Sequence, residues 1–151
     1  MQAALDQARA AAARGEVPIG AVIVIDDEIV AGAGNETRGR HDPTAHAELL
    51  AIRAAAAHVG SERLLSADIY VTLEPCAMCA GAISHARLRR LYFAADDPKG
   101  GGVHSGARVF SHGTCHHRPD IYTGIGEREA ADLLKSFFQD RRSKSRSLKF
   151  F

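Results

Sequence analysis

Along the chain, stretches in which apolar residues recur every three or four positions alternate with short, nearly continuous apolar runs, the pattern of helices interleaved with strands. Residues 2–14, rich in alanine, predict an opening helix. Ile19-Gly20-Ala21-Val22-Ile23-Val24-Ile25, then Asp26-Asp27, then Glu28-Ile29-Val30-Ala31 predict a β-hairpin with an acidic turn. The first of these strands is almost wholly apolar, so both of its faces are expected to be covered. Asp42-Pro43-Thr44 offers a capping aspartate and a proline suited to a first helical position, and Leu49, Leu50, Ile52 and Ala54 to Ala57 continue a helix. His46 is thereby placed in the first turn. Ile69 to Leu73 reads as a strand, Cys76 to Ala86 as a helix and Leu91 to Ala94 as a further strand, together a strand-helix-strand crossover. Asp96 to Gly126 is rich in Gly and His with no sustained period and is expected to be loop with short elements. From Glu127 to about Arg142 an amphipathic helix carries Leu133, Leu134, Phe137 and Phe138. No repeat or linker interrupts the alternation, which predicts one α/β domain over residues 1–151 with a basic C-terminal helix and tail from about 127.

Composition narrows the class. With 151 residues, 46% of them hydrophobic and 25% charged, the chain can bury one substantial core without disulfides. No apolar run approaches the ~20 residues of a membrane span. The N-terminus carries Asp6, Arg9 and Arg14 and lacks the pattern of a secretory signal, so a cytoplasmic location is expected. Three cysteines, two of them in a C-x-x-C, suit a reducing compartment in which such a pair binds metal or does redox chemistry. The net charge of +1 hides an asymmetry: residues 1–126 sum to −2 and residues 127–151 to +3. Arg141, Arg142, Lys144, Arg146 and Lys149 could neutralise phosphates of a nucleic acid, or form a solvated tail.

The chemistry is concentrated in His46-Ala47-Glu48 and Pro75-Cys76-Ala77-Met78-Cys79. One imidazole and two thiolates make three zinc ligands and leave the fourth tetrahedral position for water, as a hydrolytic site requires. Cys76 and Cys79 are three apart, on one face of a helix about one turn from each other, and a helix start favours thiolate. His46 and Glu48 are two apart, which in mid-helix means roughly 200°. Both can face one ion only where the backbone enters from a cap, so the site is expected to be two helix N-termini meeting over a metal. Other readings remain open at this point. C-x-x-C could be a redox pair, Cys115 could close a structural zinc site as a fourth ligand, and the chain could be a zinc-stabilised RNA-binding module without catalysis.

H-x-E followed by P-C-x-x-C resembles the signature of zinc nucleobase deaminases, in which the glutamate is a general acid/base and not a ligand. The longer strings Glu16-Val17-Pro18-Ile19-Gly20-Ala21-Val22, His41 to Glu48 and Val71 to Ala82, with Ser136 to Arg142 at the far end, resemble the bacterial tRNA-specific adenosine deaminase family over most of the chain. The resemblance implies a three-layer cytidine deaminase-like fold with a central mixed five-stranded sheet flanked by helices, a homodimer, and one Zn2+ per subunit. It implies hydrolytic deamination of adenosine to inosine at wobble position 34 of the tRNA anticodon stem-loop. Related enzymes with the same two motifs act on a free base or nucleoside such as guanine or cytosine, which is the competing expectation. Carried over by position, His46, Cys76 and Cys79 are metal ligands, Glu48 is the catalytic proton shuttle, Asn35, the Ala47 backbone and Asp97 are substrate contacts, and Phe137, Phe138, Arg141 and Arg142 are RNA contacts. Asp96 and Gly100-Gly101-Gly102 depart from the family pattern.

Overall fold

The computed structural model describes residues 1–147, so Lys149 of the basic run lies outside the described residues. In chain order the elements are α1 (Gln2–Ala13), β1 (Gly20–Ile25), β2 (Glu28–Gly34), α2 (Ala47–Val59), β3 (Asp68–Leu73), α3 (Ala77–His85), β4 (Arg90–Ala95), a 3-10 turn (Val109–Ser111), β5 (Asp120–Thr123) and α4 (Glu127–Ser147). The strands form one mixed sheet in the order β2-β1-β3-β4-β5. β1 runs antiparallel to both of its neighbours, whereas β3, β4 and β5 are parallel. The parallel register is visible in a row of stacked rings, Tyr70 on Tyr92 at 4.3 Å and Tyr92 on Tyr122 at 4.9 Å.

The two faces of the sheet bury separate cores. Ile23, Ile69, Val71, Leu91 and Phe93 pack under α2 and α3 with Ala51, Ala55 and Ile83. On the other face Leu5 of α1 and Ala130 of α4 meet Ala94 and Ala95. This is the three-layer arrangement expected from the sequence. The nearly polar-free β1 is covered on both sides. Glycine makes one of those contacts possible: Gly20 and Gly34 are register partners beneath α1, and a Cβ on Gly34 would lie 2.7 Å from the Gln7 carbonyl and 2.9 Å from Ala11 Cβ. The Asp26-Asp27 turn has both residues at positive φ (50° and 62°), the two-residue hairpin geometry whose twist matches the strands it joins.

Several expected boundaries move. The helix expected from Asp42-Pro43-Thr44 begins at Ala47, because Asp42 Oδ1 accepts the backbone N–H (2.8 Å) and hydroxyl (2.7 Å) of Thr44 and closes a local turn instead. Likewise α3 begins at Ala77 with Cys76 as its cap, and β2 continues to Gly34. The stretch from Asp96 to Gly126 contains the 3-10 turn and a strand, β5, short elements expected there with no type assigned. β5 is a four-residue edge strand with only partial burial, so it has no apolar alternation to reveal it. The last helix runs to Ser147, beyond Arg142; only Ala130 of it is fully buried, so its apolar stripe ends before the helix does.

Since β2 and β3 both run antiparallel to β1, and β4 runs parallel to β3, the C-terminal ends of β2, β3 and β4 lie at one edge of the sheet. Asn35, Glu74-Pro75-Cys76 and Asp96-Asp97 leave the sheet there. An edge where parallel strands end in loops is where open α/β sheets build their sites.

Candidate metal centre

Two helices start at this edge, and each is capped by a candidate ligand. His46 precedes α2 with extended backbone (φ −74°, ψ 150°) while its carbonyl accepts the Leu50 N–H. Cys76 precedes α3 in the same way (φ −68°, ψ 173°), its carbonyl accepting the Ala80 N–H. A cap residue has left the 100° helical progression, which lets the side chains of His46 and Glu48 converge despite their spacing. The His46 imidazole makes no bond to its own helix, and within its helix the Cys76 sulfur bonds only Cys79, itself a candidate ligand, so all three face one site.

The donor atoms of His46, Cys76 and Cys79 lie within 4.8 Å of one another, and Nδ1 of His46 is 3.6 Å from each sulfur. A tetrahedral ion at Zn–N of 2.0–2.1 Å and Zn–S of about 2.3 Å separates its N and S donors by about 3.6 Å, so the set fits zinc. Among the described residues this is the only cluster of three such side chains. Cys115 is not in it: its sulfur sits 3.4 Å from Ser84 Oγ and donates to the His117 carbonyl (3.2 Å), which removes the closed four-ligand alternative.

Glu48 stands in the first turn of α2, 4% exposed, and its Oε2 is buried without a hydrogen-bond partner. Burial pushes its carboxyl up to about 7. Such a group is normally partnered, so an orphaned carboxylate oxygen beside three metal donors implies a missing partner. The thiols divide their proton unequally. Cys76 is drawn down to about 4, chiefly by the hydrogen bond from Cys79 and, against burial, by His46; Cys79 is pushed up by that same hydrogen bond and by burial. His46 is raised by its hydrogen bond with Cys76.

Asn35, directly after β2 and 6% exposed, accepts the Ala47 N–H on Oδ1 at 2.8 Å, so it caps α2 from outside the helix. Its side-chain NH2 donates to no described residue. Ala47 is fully buried. Asp97 is placed differently from the other expected contacts: its Oδ1 accepts the N–H groups of Lys99 and Gly100, closing a local turn. No hydrogen bond links it to His46, Glu48, Cys76 or Cys79. On α4, Phe137 packs edge-on against Phe138 and lies 4.8 Å under the Arg141 guanidinium, while Arg142 is exposed.

Two buried carboxylates organise the site and were missed from the sequence. Glu74, 2% exposed, accepts five hydrogen bonds from one loop: Asp97 N–H and Ser105 Oγ–H on Oε1, and the N–H groups of Val103, His104 and Ser105 on Oε2. Burial opposes its ionisation, but the Asp97, Ser105 and Val103 amides outweigh burial and hold its pKa below the ordinary 4.5. The loop is thereby pressed onto the start of α3, where the Gly102 N–H donates to the Pro75 carbonyl (2.8 Å) and a Cβ on Gly102 would lie 2.5 Å from Ala77 N. This accounts for the glycines that set the loop apart. Glu16 does similar work for the turn after Asn35, accepting from Thr37 Oγ1, Arg38 N and Gly39 N. The available signal was an acidic residue just after a regular element, Glu74 after β3 and Glu16 after α1, and it is weak because exposed loops carry acids at the same positions.

Comparison with known proteins places these features. The family model of MafB19-like deaminases matches residues 1–142. A tRNA-specific adenosine deaminase of Agrobacterium fabrum is 58% identical over 142 residues, covering 94% of this chain and 93% of the relative. A solved structure from work on A-to-I editing by tRNA:A34 deaminases at the wobble position of transfer RNA is 59% identical with a TM-score of 0.87, covering 89% of this chain and 97% of that one. A guanine deaminase structure from Bacillus subtilis is 41% identical with a TM-score of 0.62, covering 63% and 61%.

Proposed function

The chain belongs to the MafB19-like deaminases and, among them, to the tRNA-specific adenosine deaminase family, and from that premise we propose that it deaminates adenosine to inosine at the wobble position of a tRNA anticodon loop. The observation that carries the chemistry is the buried, unpartnered Oε2 of Glu48 beside the His46, Cys76 and Cys79 donors. His46 Nδ1 and the two sulfurs would hold the metal, one Zn2+ per subunit. When bound, zinc supplies Lewis acidity that lowers the pKa of water towards ~7.

Glu48 moves the proton. Its Oε2 accepts one proton from water and delivers it to N1 of the adenine ring as the remaining hydroxide adds to C6; it then takes the second proton from the new C6 hydroxyl and passes it to the amine, which leaves as ammonia as C6–O becomes the carbonyl. Asn35 holds α2 in position through Oδ1 and has its NH2 free to donate to the nucleoside. The Glu74-braced loop, which includes Asp97, is pinned to the start of α3 beside Cys76. An adenosine must be unstacked to enter, which an anticodon loop permits more readily than a duplex. A cytoplasmic location accords with a tRNA substrate; no helix among the described residues is long and apolar enough to cross a membrane. Assembly as a homodimer is carried by the family resemblance and is tested by light scattering of the purified protein.

The deciding experiment incubates the zinc-loaded enzyme with an anticodon stem-loop bearing adenosine at position 34, and separately with adenosine, guanine and cytosine. Inosine in the stem-loop, with slow turnover of the small molecules, supports the assignment. Faster turnover of a free base overturns it.

A further inference from the structure

α3 starts at the metal centre, and a second group of ligand-type side chains gathers at its other end. His85 is the last residue of the helix, and with His112, Cys115 and His116 of the loop that leads into β5 it lines one cavity of about 230 Å³. Cys76 and His85 are nine positions apart, ~13 Å along a helix, so this cavity is separate from the first centre. Backbone contacts fasten the loop against the helix end. The His117 N–H donates to Ser84 Oγ (3.1 Å), Arg87 Nη1 to the His116 carbonyl (2.6 Å) and the Cys115 N–H to the His112 carbonyl (3.1 Å).

We propose that this cavity is a second metal site, which takes a borderline divalent ion such as zinc through the imidazoles of His85 and His116 and the thiolate of Cys115, with His112 as the fourth ligand. The ion ties the loop before β5 to the end of α3 and takes no part in deamination.

The spacing of the rings fits. The His85 and His116 centroids are 5.4 Å apart with their planes inclined at 41°. Two imidazoles on one tetrahedral ion, at Zn–N of about 2.0–2.1 Å, hold their centroids about 5 Å apart, so the pair needs little movement to share one. The donor types fit as well. No carboxylate of the described residues lines the cavity, which disfavours calcium and magnesium, whereas imidazole and thiolate suit zinc. His112 donates from Nε2 to the Ala107 carbonyl at 2.7 Å, which leaves Nδ1 bare, the backbone-anchored tautomer common among metal-binding histidines. The Cys115 sulfur is the one that must turn: it donates to the His117 carbonyl (3.2 Å) and sits 3.4 Å from Ser84 Oγ, outside the ligand spacing of the rings. On binding, the thiol proton passes to solvent and the sulfur rotates about its Cα–Cβ bond towards the imidazoles. The C-terminal end of α3, with its partial negative charge, favours a cation beside His85.

The test titrates the zinc-loaded enzyme with Zn2+ alone by calorimetry, beside His85→Ala, His116→Ala and His58→Ala, an exposed histidine outside the cavity. A second equivalent should bind the parent and His58→Ala alike, and about tenfold or more weakly in the other two variants. His85 and His116 are exposed, so their replacement should leave the melting temperature in chelator unchanged. The second equivalent should also slow alkylation of Cys115 by iodoacetamide, read by peptide mass spectrometry, several-fold in the parent and not in His116→Ala. A parent that takes no second equivalent overturns the proposal. So does a second equivalent held equally well by His85→Ala and His116→Ala, or one that leaves Cys115 alkylation unchanged, since either marks an adventitious surface ion only. No readout uses a substrate, so the outcome stands whichever base or RNA the enzyme deaminates.

Discussion

Asn35 Oδ1 lies 2.8 Å from the amide nitrogen of Ala47, so the residue that follows β2 caps the helix whose entry carries His46. One side chain thus has a structural half and a free half, and substitution separates them. Asn35→Ala removes a buried cap and should cost about 1 kcal/mol, within 0.5–2, by urea denaturation. Asn35→Asp keeps the acceptor and should preserve most of that stability, yet lose the NH2 donor and with it turnover of the stem-loop. Full activity in Asn35→Asp would remove Asn35 from the substrate contacts.

Glu48→Gln keeps the volume and removes the proton carrier. Zinc content by atomic absorption should be unchanged, and inosine formation should fall by about 10² to 10⁴. Wild-type turnover with intact zinc would refute the proton-shuttle role.

Removal of the metal should destabilise the fold at its most polar edge. A chelator should lower the melting temperature, and zinc should restore it in a concentration-dependent way, because an ion bound only by the folded chain stabilises it by mass action. Cys79→Ser should lower zinc occupancy. Equal melting temperatures with and without metal would show that the cap-to-cap arrangement persists without the ion.

Glu74→Gln keeps the shape of a side chain that accepts five hydrogen bonds but replaces one oxygen by a donor facing N–H groups. With several charge-assisted bonds weakened and donors opposed, a loss of about 2 to 4 kcal/mol in denaturant melts is expected. Gly102→Ala should also destabilise, since its Cβ would meet the backbone of α3. Unchanged stability in both variants would mean that the loop does not depend on this anchor.

Asp42 supplies the pH dependence. The hydrogen bonds from Thr44, side chain first and then backbone, hold its carboxyl below the ordinary 3.8. A carboxylate whose folded pKa is depressed stabilises the fold above the unfolded pKa, and that stability is lost as pH falls through the lower folded value. Carboxyl NMR titration should find Asp42 below 3.8 and moved upward in Thr44→Val. An ordinary value in both proteins would count against the turn that leads into His46.

Much of the fold was readable because most elements carry an unambiguous period. The hairpin, β3, α3 and β4 stand close to where alternation and turn residues put them, and the requirement that His46 and Glu48 meet only at a cap anticipated the two-helix-start geometry. The start of α2 was misplaced because Asp42 and Pro43 are equally good turn residues, and only the Thr44 contacts decide between the two uses. β5 was expected only as a short element of unassigned type, because a four-residue, partly exposed edge strand shows no apolar alternation.

The donor types, their local spacing and the need for a helix start at each motif are legible in the sequence, since ligand chemistry and cap geometry are properties of short segments. Tertiary structure alone decided that the ends of β2, β3 and β4 share an edge, which brings His46 to within 3.6 Å of sulfurs some thirty residues away. It also decided that Glu74 binds a loop and that Cys115 is excluded from the metal cluster. Those relations depend on strand order and on which buried polar group finds which partner, and no local period records either.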